Sequence, residues 1–347
     1  MVAPYVVVLE STKACDLACR HCRAKAIPNR LPGELTIEEI KRLVDDLSSS
    51  GVKLFVISGG DALKRDDIFE ILEYSSRRIT TALSPSGSRI NPEVAKKIRD
   101  TGVNMVSISI DGPEEIHDQF RGVQGAFKMA IEAVKSLQSA GLPVQINSTI
   151  SKYNVDRLQE LRETIEKLRP VFWDVFMLIP TGRATRDMMV SPAEAEQVMR
   201  TIAKWRVEGL NVRMTCAPYL VRVMNEMGIT RPLPPDKNYG RRSVSGARGC
   251  MAGNGYAFIA YDGTVYPCGF LPTPAGNIRF RKFSQIYDES PVFKLLRDPS
   301  KLRGKCGVCE YRSVCGGCRA RAFSLTEGLM DEDPFCLYVP RALRVRV

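Results

Sequence analysis

Over its first 210 residues the chain alternates short β-branched or apolar runs with amphipathic segments, and this alternation narrows the possible folds more than anything else in the sequence. Strand-like runs fall at 5–10, 52–58, 80–84, 105–110, 144–150 and 173–179. Helical periodicity fills the gaps at about 36–50, 66–77, 91–101, 123–139, 154–169 and 191–208. Helix starts are marked by Thr36 ahead of Glu38 and Glu39, and by Asn91-Pro92 and Ser191-Pro192. Gly51, Gly102 and Gly141 stand where helices should end. Strands joined through helices run parallel, so six βα units predict an α/β fold, a partial (β/α)6 barrel of TIM-like type. In such barrels the chemistry sits at the C-terminal ends of the strands. Four motifs fall there: Cys15, Cys19 and Cys22 after the first strand, Gly59-Gly60-Asp61 after the second, Ser84-Pro85-Ser86-Gly87 after the third, and Ser109-Ile110-Asp111-Gly112 after the fourth.

The chain contains eleven cysteines. Its first residues lack the basic region and the apolar length of a signal peptide, and nothing approaches the ~20 apolar residues of a membrane span. A cytoplasmic protein with no membrane association is therefore expected, and there thiols stay reduced and bind metal or do redox chemistry. With only two histidines, His21 and His117, metal sites must be mainly thiolate, as for iron-sulfur clusters or zinc, and both histidines are expected to be structural or hydrogen-bonding. Beyond residue 210 comes a Pro- and Arg-rich stretch at 231–236, followed by short strand-like pieces and seven cysteines. The expected division is a barrel at 1–210, a connection at 211–249 and a small metal-stabilised domain at 250–347.

Three thiolates on one loop can hold three irons of a [4Fe-4S] cube and leave the fourth open, and they can also form part of a zinc site. The pairs Cys306/Cys309 and Cys315/Cys318 suit tetrahedral zinc equally well. A formal net charge of +11 favours an anionic partner. The basic residues are scattered without interleaved aromatics, so nucleic acid is not expected.

The loop Ala14-Cys15-Asp16-Leu17-Ala18-Cys19-Arg20-His21-Cys22-Arg23-Ala24 resembles the Cys-x3-Cys-x2-Cys loop of the radical S-adenosylmethionine (SAM) superfamily. That resemblance implies a cluster whose open iron chelates SAM and a 5'-deoxyadenosyl radical made from it. It gives Gly59-Gly60-Asp61 the place of the Gly-Gly-Glu that binds the SAM amino group, with Asp61 one methylene shorter. It also implies SAM contacts for Ser86, Ser109, Asp111 and Asn147, and a carboxylate clamp at Arg121, since a guanidinium grips carboxylate bidentately. Cys250-x12-Gly263-x4-Cys268, Cys306-x2-Cys309-x5-Cys315-x2-Cys318 and Cys336 resemble the SPASM domain, with one residue fewer than usual before the sixth cysteine. Its pattern implies an outer auxiliary cluster on Cys306, Cys309, Cys315 and Cys336, and an inner one on Cys250, Cys268 and Cys318. Cys216 is either the fourth inner ligand or a buried thiol.

Pro180-Thr181-Gly182-Arg183-Ala184, Gly269-Phe270-Leu271-Pro272 and Cys315-Gly316-Gly317-Cys318-Arg319-Ala320-Arg321 are similar to the subgroup holding heme synthase and the didecarboxysiroheme-processing enzymes. The substrate this implies is a multi-carboxylate tetrapyrrole, with ferredoxin or flavodoxin as electron donor. A peptide or protein maturase is the main competing reading, against which stands the absence of a leader-gripping segment before the first strand. A non-catalytic iron-sulfur or zinc protein would leave the open three-cysteine loop unexplained.

Overall fold

All six expected strands form: β1 Val6–Glu10, β2 Leu54–Ser58, β3 Thr80–Leu83, β4 Met105–Ser109, β5 Val144–Ile150 and β6 Phe172–Met177. The computed structural model describes residues 3–229 and 249–344, so the stretch at 231–236 lies outside the described residues. Neighbouring strands pair in parallel in chain order, with Glu10 opposite Ser58, Ser109 opposite Asn147 and Asn147 opposite Asp174. Burial along β5 alternates strictly. Val144, Ile146, Ser148 and Ile150 are covered on one face, while Gln145, Asn147 and Thr149 are half-buried on the other, the concave side of the sheet.

The connecting helices are α1 Ile37–Ser49, α2 Ile68–Ser76, α3 Pro92–Asp100, α4 Glu114–Arg121, α5 Ala126–Ser139, α6 Leu158–Leu168 and α7 Pro192–Val207. Thr36 and Ser191 each close a full capping box, with Glu39 and Glu194, and the Asn91 side chain accepts from the Val94 amide. One expectation needs correcting. The helix foreseen at 123–139 begins only at Ala126, and α4 precedes it as a separate helix that stops at Gly122. Most residues of α4 are polar, and only its buried face, with His117 and Phe120, ties it to the core.

The sheet also extends past both ends of the six-strand core. β7 Val212–Thr215 pairs with β6, and β8 Tyr256–Ile259 runs parallel to β1, Val6 opposite Tyr256. β9 Thr264–Tyr266 and β10 Gly276–Asn277 follow antiparallel, giving ten strands among the described residues, in the order β10-β9-β8-β1-β2-β3-β4-β5-β6-β7. The remaining helices are α8 Leu220–Glu226, α9 Phe283–Glu289, α10 Pro291–Arg297, α11 Gly304–Val308 and α12 Arg319–Thr326. One of them, α9, docks on α1, where the Ser284 amide and hydroxyl donate to the Asp46 carboxylate at 3.0 and 2.7 Å. The main apolar core runs from Val7 and Leu9 to Phe283 and Phe293. Among the described residues no helix is long and apolar enough to cross a membrane.

Candidate active site and cysteine centres

The loop after β1 is held by its backbone, from three sides. Toward β2, the Gly60 amide donates to the Thr12 carbonyl at 2.8 Å and the Asp61 amide to the Ala14 carbonyl at 2.6 Å. Toward α4, the Ala18 and Arg20 amides donate to the Arg121 and Phe120 carbonyls at 3.1 and 2.9 Å. Toward the turn after β6, the Arg183 amide donates to the Cys22 carbonyl at 3.0 Å. These approaches require glycine. A Cβ on Gly60 would lie 2.4 Å from the Ala14 oxygen, and one on Gly182, where φ is +74°, would lie 2.4 Å from the Cys22 and Arg23 oxygens. Gly182→Ala is therefore expected to push the loop off the β6 turn, lowering bound iron and deoxyadenosine release at least tenfold while circular dichroism stays unchanged. Unaltered iron content would refute this.

Cys15 and Cys19 are buried and Cys22 half-buried, within one apolar enclosure that includes Leu17, Ala26, Ala126 and Met129. Burial pushes the Cys15 thiol up to about 12, and the nearby Asp61, Cys19 and Cys22 add to the rise. Burial raises Cys19 as well, against the opposing Arg121 guanidinium. Three thiols in one another's field resist ionisation until a cationic centre joins them.

The structure brings the sequence-predicted SAM residues to the same rim, several of them already engaged with one another. Asp61 is fully buried, accepting from the Leu63 amide at 3.0 Å and the Ser86 hydroxyl at 2.5 Å. Asp111 is buried too. One of its oxygens takes the Nε and Nη2 of Arg121 at 2.7 and 2.6 Å, and the other takes the Thr149 amide at 2.8 Å. Burial opposes ionisation of Asp111, but the Arg121 guanidinium and the Thr149 amide hold its carboxyl below the ordinary range. Arg121 also points Nη1 at the Cys19 sulfur, 3.9 Å away. Ser109 and Asn147 face each other across β4 and β5, with Asn147 accepting from Gln145 at 2.5 Å. Both histidines are neutral: burial takes His21, stacked on Phe120, down to about 3, and His117, whose Nδ1 accepts from the Asp111 amide at 3.1 Å, down to about 4.

The remaining cysteines form two groups. Cys216, Cys250, Cys268 and Cys318 lie within one another's electrostatic reach. Cys216 and Cys318 share a hydrogen bond that lowers Cys318 to about 7 and raises Cys216, while burial takes Cys268 up to about 12. Cys306, Cys309, Cys315 and Cys336 line one small cavity, whose other walls include Tyr311, Tyr338 and Pro340. Among the described residues no three His, Cys, Asp or Glu side chains converge closely enough for one metal ion. Sulfurs that bind separate irons of a cube stand farther apart than ligands of a single ion.

Unpartnered donors indicate what these centres take. Among the described residues, buried nitrogens with no hydrogen-bond partner are Arg183 Nε and Nη2, His21 Nδ1, Arg222 Nε, Arg319 Nε and Nη2, and Arg321 Nε. Each belongs to a residue beside a cysteine group. Arg183 and His21 adjoin the triplet, Arg222 lies in reach of Cys309 and Cys336, Arg319 of Cys250 and Cys306, and Arg321 of Cys216 and Cys318. A buried guanidinium N–H without an acceptor is costly, and an anionic sulfur-rich group among these thiols would supply one. The residues present therefore fit iron-sulfur clusters.

Sequence reasoning missed three residues here. Asp174 faces the concave side of β6, accepts from the Thr215 hydroxyl at 2.9 and 3.1 Å, and is raised by burial to about 6; an acidic residue in an otherwise apolar strand was the available signal. Arg183 was visible only as part of a motif. Tyr256, on β8, lies in the field of both Cys268 and Arg23, and Arg23 is paired with Glu10 and stacked 4.2 Å over Phe258. Nothing local in the sequence brings Tyr256 to the triplet.

The model for the Radical SAM superfamily matches residues 9–168, and that for the SPASM iron-sulfur cluster-binding domain matches 250–319. The AdoMet-dependent heme synthase of Methanosarcina barkeri is 39% identical over 97% of both chains. The mycofactocin maturase MftC of Mycobacterium tuberculosis is 31% identical over 96% of this chain and 83% of its own. Among solved structures, Streptococcus suis SuiB bound to S-adenosylmethionine superposes with a TM-score of 0.76 at 17% identity, covering 97% of this chain and 78% of that one, a likeness of fold. With the Radical SAM model matched over 9–168, the SPASM model over 250–319 and 39% identity running along nearly the whole length, the chain belongs to the radical SAM superfamily, as a SPASM-bearing member of the family that includes the AdoMet-dependent heme synthases.

Proposed function

We propose that the substrate is an anionic tetrapyrrole whose propionate side chain is decarboxylated. The observation that carries this is the 39% identity, spread over 97% of both chains, with a protein named heme synthase. As a radical SAM enzyme with a SPASM domain, the chain uses a SAM-binding [4Fe-4S] cluster and auxiliary clusters. When bound, the first cluster supplies the electron that cleaves SAM to the 5'-deoxyadenosyl radical that abstracts hydrogen.

The residues then take distinct parts. Cys15, Cys19 and Cys22 hold the SAM-cleaving cluster. Gly59, Gly60, Ser109 and Asn147 line the rim that receives SAM, and Asp61 with Ser86, like Asp111 with Arg121, fixes its shape. Leu17, Ala26, Ala126 and Met129 keep water from the cysteines. Arg183, with two unpartnered buried donors beside Cys22, is suited to donate to the SAM-cleaving cluster. Cys216, Cys250, Cys268 and Cys318 hold the inner auxiliary cluster, supported by the electrostatic reach of Cys318 to the other three and its hydrogen bond with Cys216, and Cys306, Cys309, Cys315 and Cys336 the outer one. In this reading 1–210 generates the radical, 211–249 connects, and 250–347 carries most auxiliary ligands, in a cytoplasmic protein served by a ferredoxin or flavodoxin.

A peptide substrate is the second reading, favoured by the similarity to MftC. Anaerobic reconstitution should give about twelve irons, and SAM with dithionite should release 5'-deoxyadenosine. Adding Fe-coproporphyrin is expected to raise that release and produce CO2. Stimulation by peptides alone would overturn the tetrapyrrole reading.

A further inference from the structure

The arginines around the cysteine triplet differ in what occupies them. Arg121 is taken up by Asp111 and aims Nη1 at the Cys19 sulfur. Arg183 is buried beside Cys22, its Nη1 donating to the Ala26 carbonyl at 3.4 Å. Arg20 is exposed and donates to the Tyr153 hydroxyl at 3.3 Å, and Arg89 donates to Asp16 at 2.6 Å. Arg23 is held at one point. Among the described residues its Nη2 alone has a hydrogen-bond partner, the buried carboxylate of Glu10 at the end of β1, and 21% of its side chain remains exposed. The rest of its fork has no protein acceptor there.

What surrounds Arg23 places it between two cysteine groups. The guanidinium lies 4.2 Å from the centre of the Phe258 ring. Phe258 and Tyr256 share one face of β8, opposite Val8 and Val6 of β1, and Tyr266 stands opposite Phe258 on β9 with the rings 6.4 Å apart. On the other flank the chain leaving Cys268 closes in: a Cβ on Gly269 would lie 3.2 Å from both Arg23 Cδ and Phe258 Cδ2. The residue that follows Cys22 thus packs on the residue that follows Cys268. Tyr256, half-buried, lies in the field of both Arg23 and Cys268. A guanidinium laid on an aromatic ring and pinned at one corner has already lost most of its freedom, so a further anion binds it with little added loss of entropy.

We propose that Arg23 grips a carboxylate of the substrate in the gap between the triplet and the inner cysteine group. The inference rests on the tetrapyrrole reading above and names the side chain that recognises the macrocycle's propionates. Guanidinium suits the task because its planar fork matches carboxylate, and the half-buried rings of Tyr256 and Tyr266 near it suit a flat aromatic ligand. Held there, the substrate lies between the centre that makes the radical and one that can take up an electron.

The test titrates Fe-coproporphyrin into the reconstituted full-length enzyme, followed by its absorbance, without SAM or reductant so that no turnover occurs. The parent is expected to bind the tetra-acid at least about tenfold more tightly than its uncharged tetra-amide. Arg23→Gln should lose at least about tenfold for the acid and bind the amide as the parent does. Arg23→Lys, which keeps the charge but not the fork, should fall between, with a loss of at least about threefold. SAM affinity, titrated separately, should stay within about twofold of the parent, and the exposed control Arg77→Gln on α2 should match the parent throughout. Equal acid binding by the parent and Arg23→Gln overturns the proposal. So does an equal loss in the control, or an equal loss for SAM, which would make SAM the source of the carboxylate. Iron is counted in every sample, and if Arg23→Gln loses it the comparison passes to Arg23→Lys. Failure of the underlying reading looks different: a parent enzyme that binds neither porphyrin while still cleaving SAM overturns the tetrapyrrole substrate, and the proposal with it.

Discussion

Replacing Cys15, Cys19 and Cys22 together with alanine is expected to leave a folded protein with about eight of its about twelve irons and deoxyadenosine release reduced by at least a thousandfold. The loop depends on its backbone more than on its thiols for its path, although the Leu17 and Ala26 amides donate to the Cys15 and Cys22 sulfurs at 3.3 and 3.4 Å. Backbone bonds from Gly60, Asp61, Ala18, Arg20 and Arg183 fix it, and none involves a cysteine sulfur. The thiols instead prepare the site electrostatically. Burial makes an isolated thiolate unfavourable at Cys15 and Cys19, so binding depends on a cationic centre that all three stabilise together. On the proposed assignment, removing them takes away every protein ligand of that centre and leaves the two auxiliary groups untouched. Iron analysis, circular dichroism and product chromatography are the measurements. Residual SAM cleavage within tenfold of the parent would place the radical chemistry elsewhere.

Asp333→Ala should be the most destabilising single change near the auxiliary centres, by about 3–5 kcal/mol, as expected when one partner of a buried ion pair is removed. Asp333 and Arg321 are both fully buried. One Asp333 oxygen takes Arg321 Nη1 at 3.1 Å and the Cys318 amide at 2.8 Å, and the other takes the Phe335 amide at 3.1 Å. Arg321 meanwhile donates to the Cys216 carbonyl at 2.7 Å and to the Tyr219 hydroxyl at 3.3 Å. The alanine variant strands a buried guanidinium and two amides and frees the turns carrying Cys318 and Cys336. Urea unfolding of the metal-free protein measures the stability term, and iron content of the reconstituted protein measures the effect on the cysteines. A loss below about 1 kcal/mol would mean that water reaches Arg321 freely.

The strands were legible because each is a run rich in apolar or β-branched residues whose period differs from that of the flanking helices. β7 and β8 are just as real, but they lie outside the regular βα alternation and acquire their place only by pairing with β6 or β1. Site residues divide the same way. The triplet and Gly59-Gly60 announce themselves by spacing, since both depend on local backbone form. Asp61 reads as a ligand in the sequence, yet its carboxylate is already taken by Leu63 and Ser86, and Ser86 arrives from the next βα unit. Arg121 likewise reads as a free clamp, and the structure shows it held by Asp111 with one donor aimed at Cys19. What a buried charge does is decided by its partner, and partners remote in sequence leave no local pattern.

The pairing of β8 with β1 sets a timetable for making the protein. The first strand leads straight into the triplet, yet one of its two edges is covered only by residues about 250 positions later. At roughly 5–20 residues per second, the nascent chain carries that edge bare for about 12–50 seconds. A bare parallel edge of valines and leucine is a template for pairing with other chains. Cluster loading completed before β8 arrives would act on a half-walled site, so the cell must either shield the nascent barrel or deliver iron and sulfide after synthesis ends.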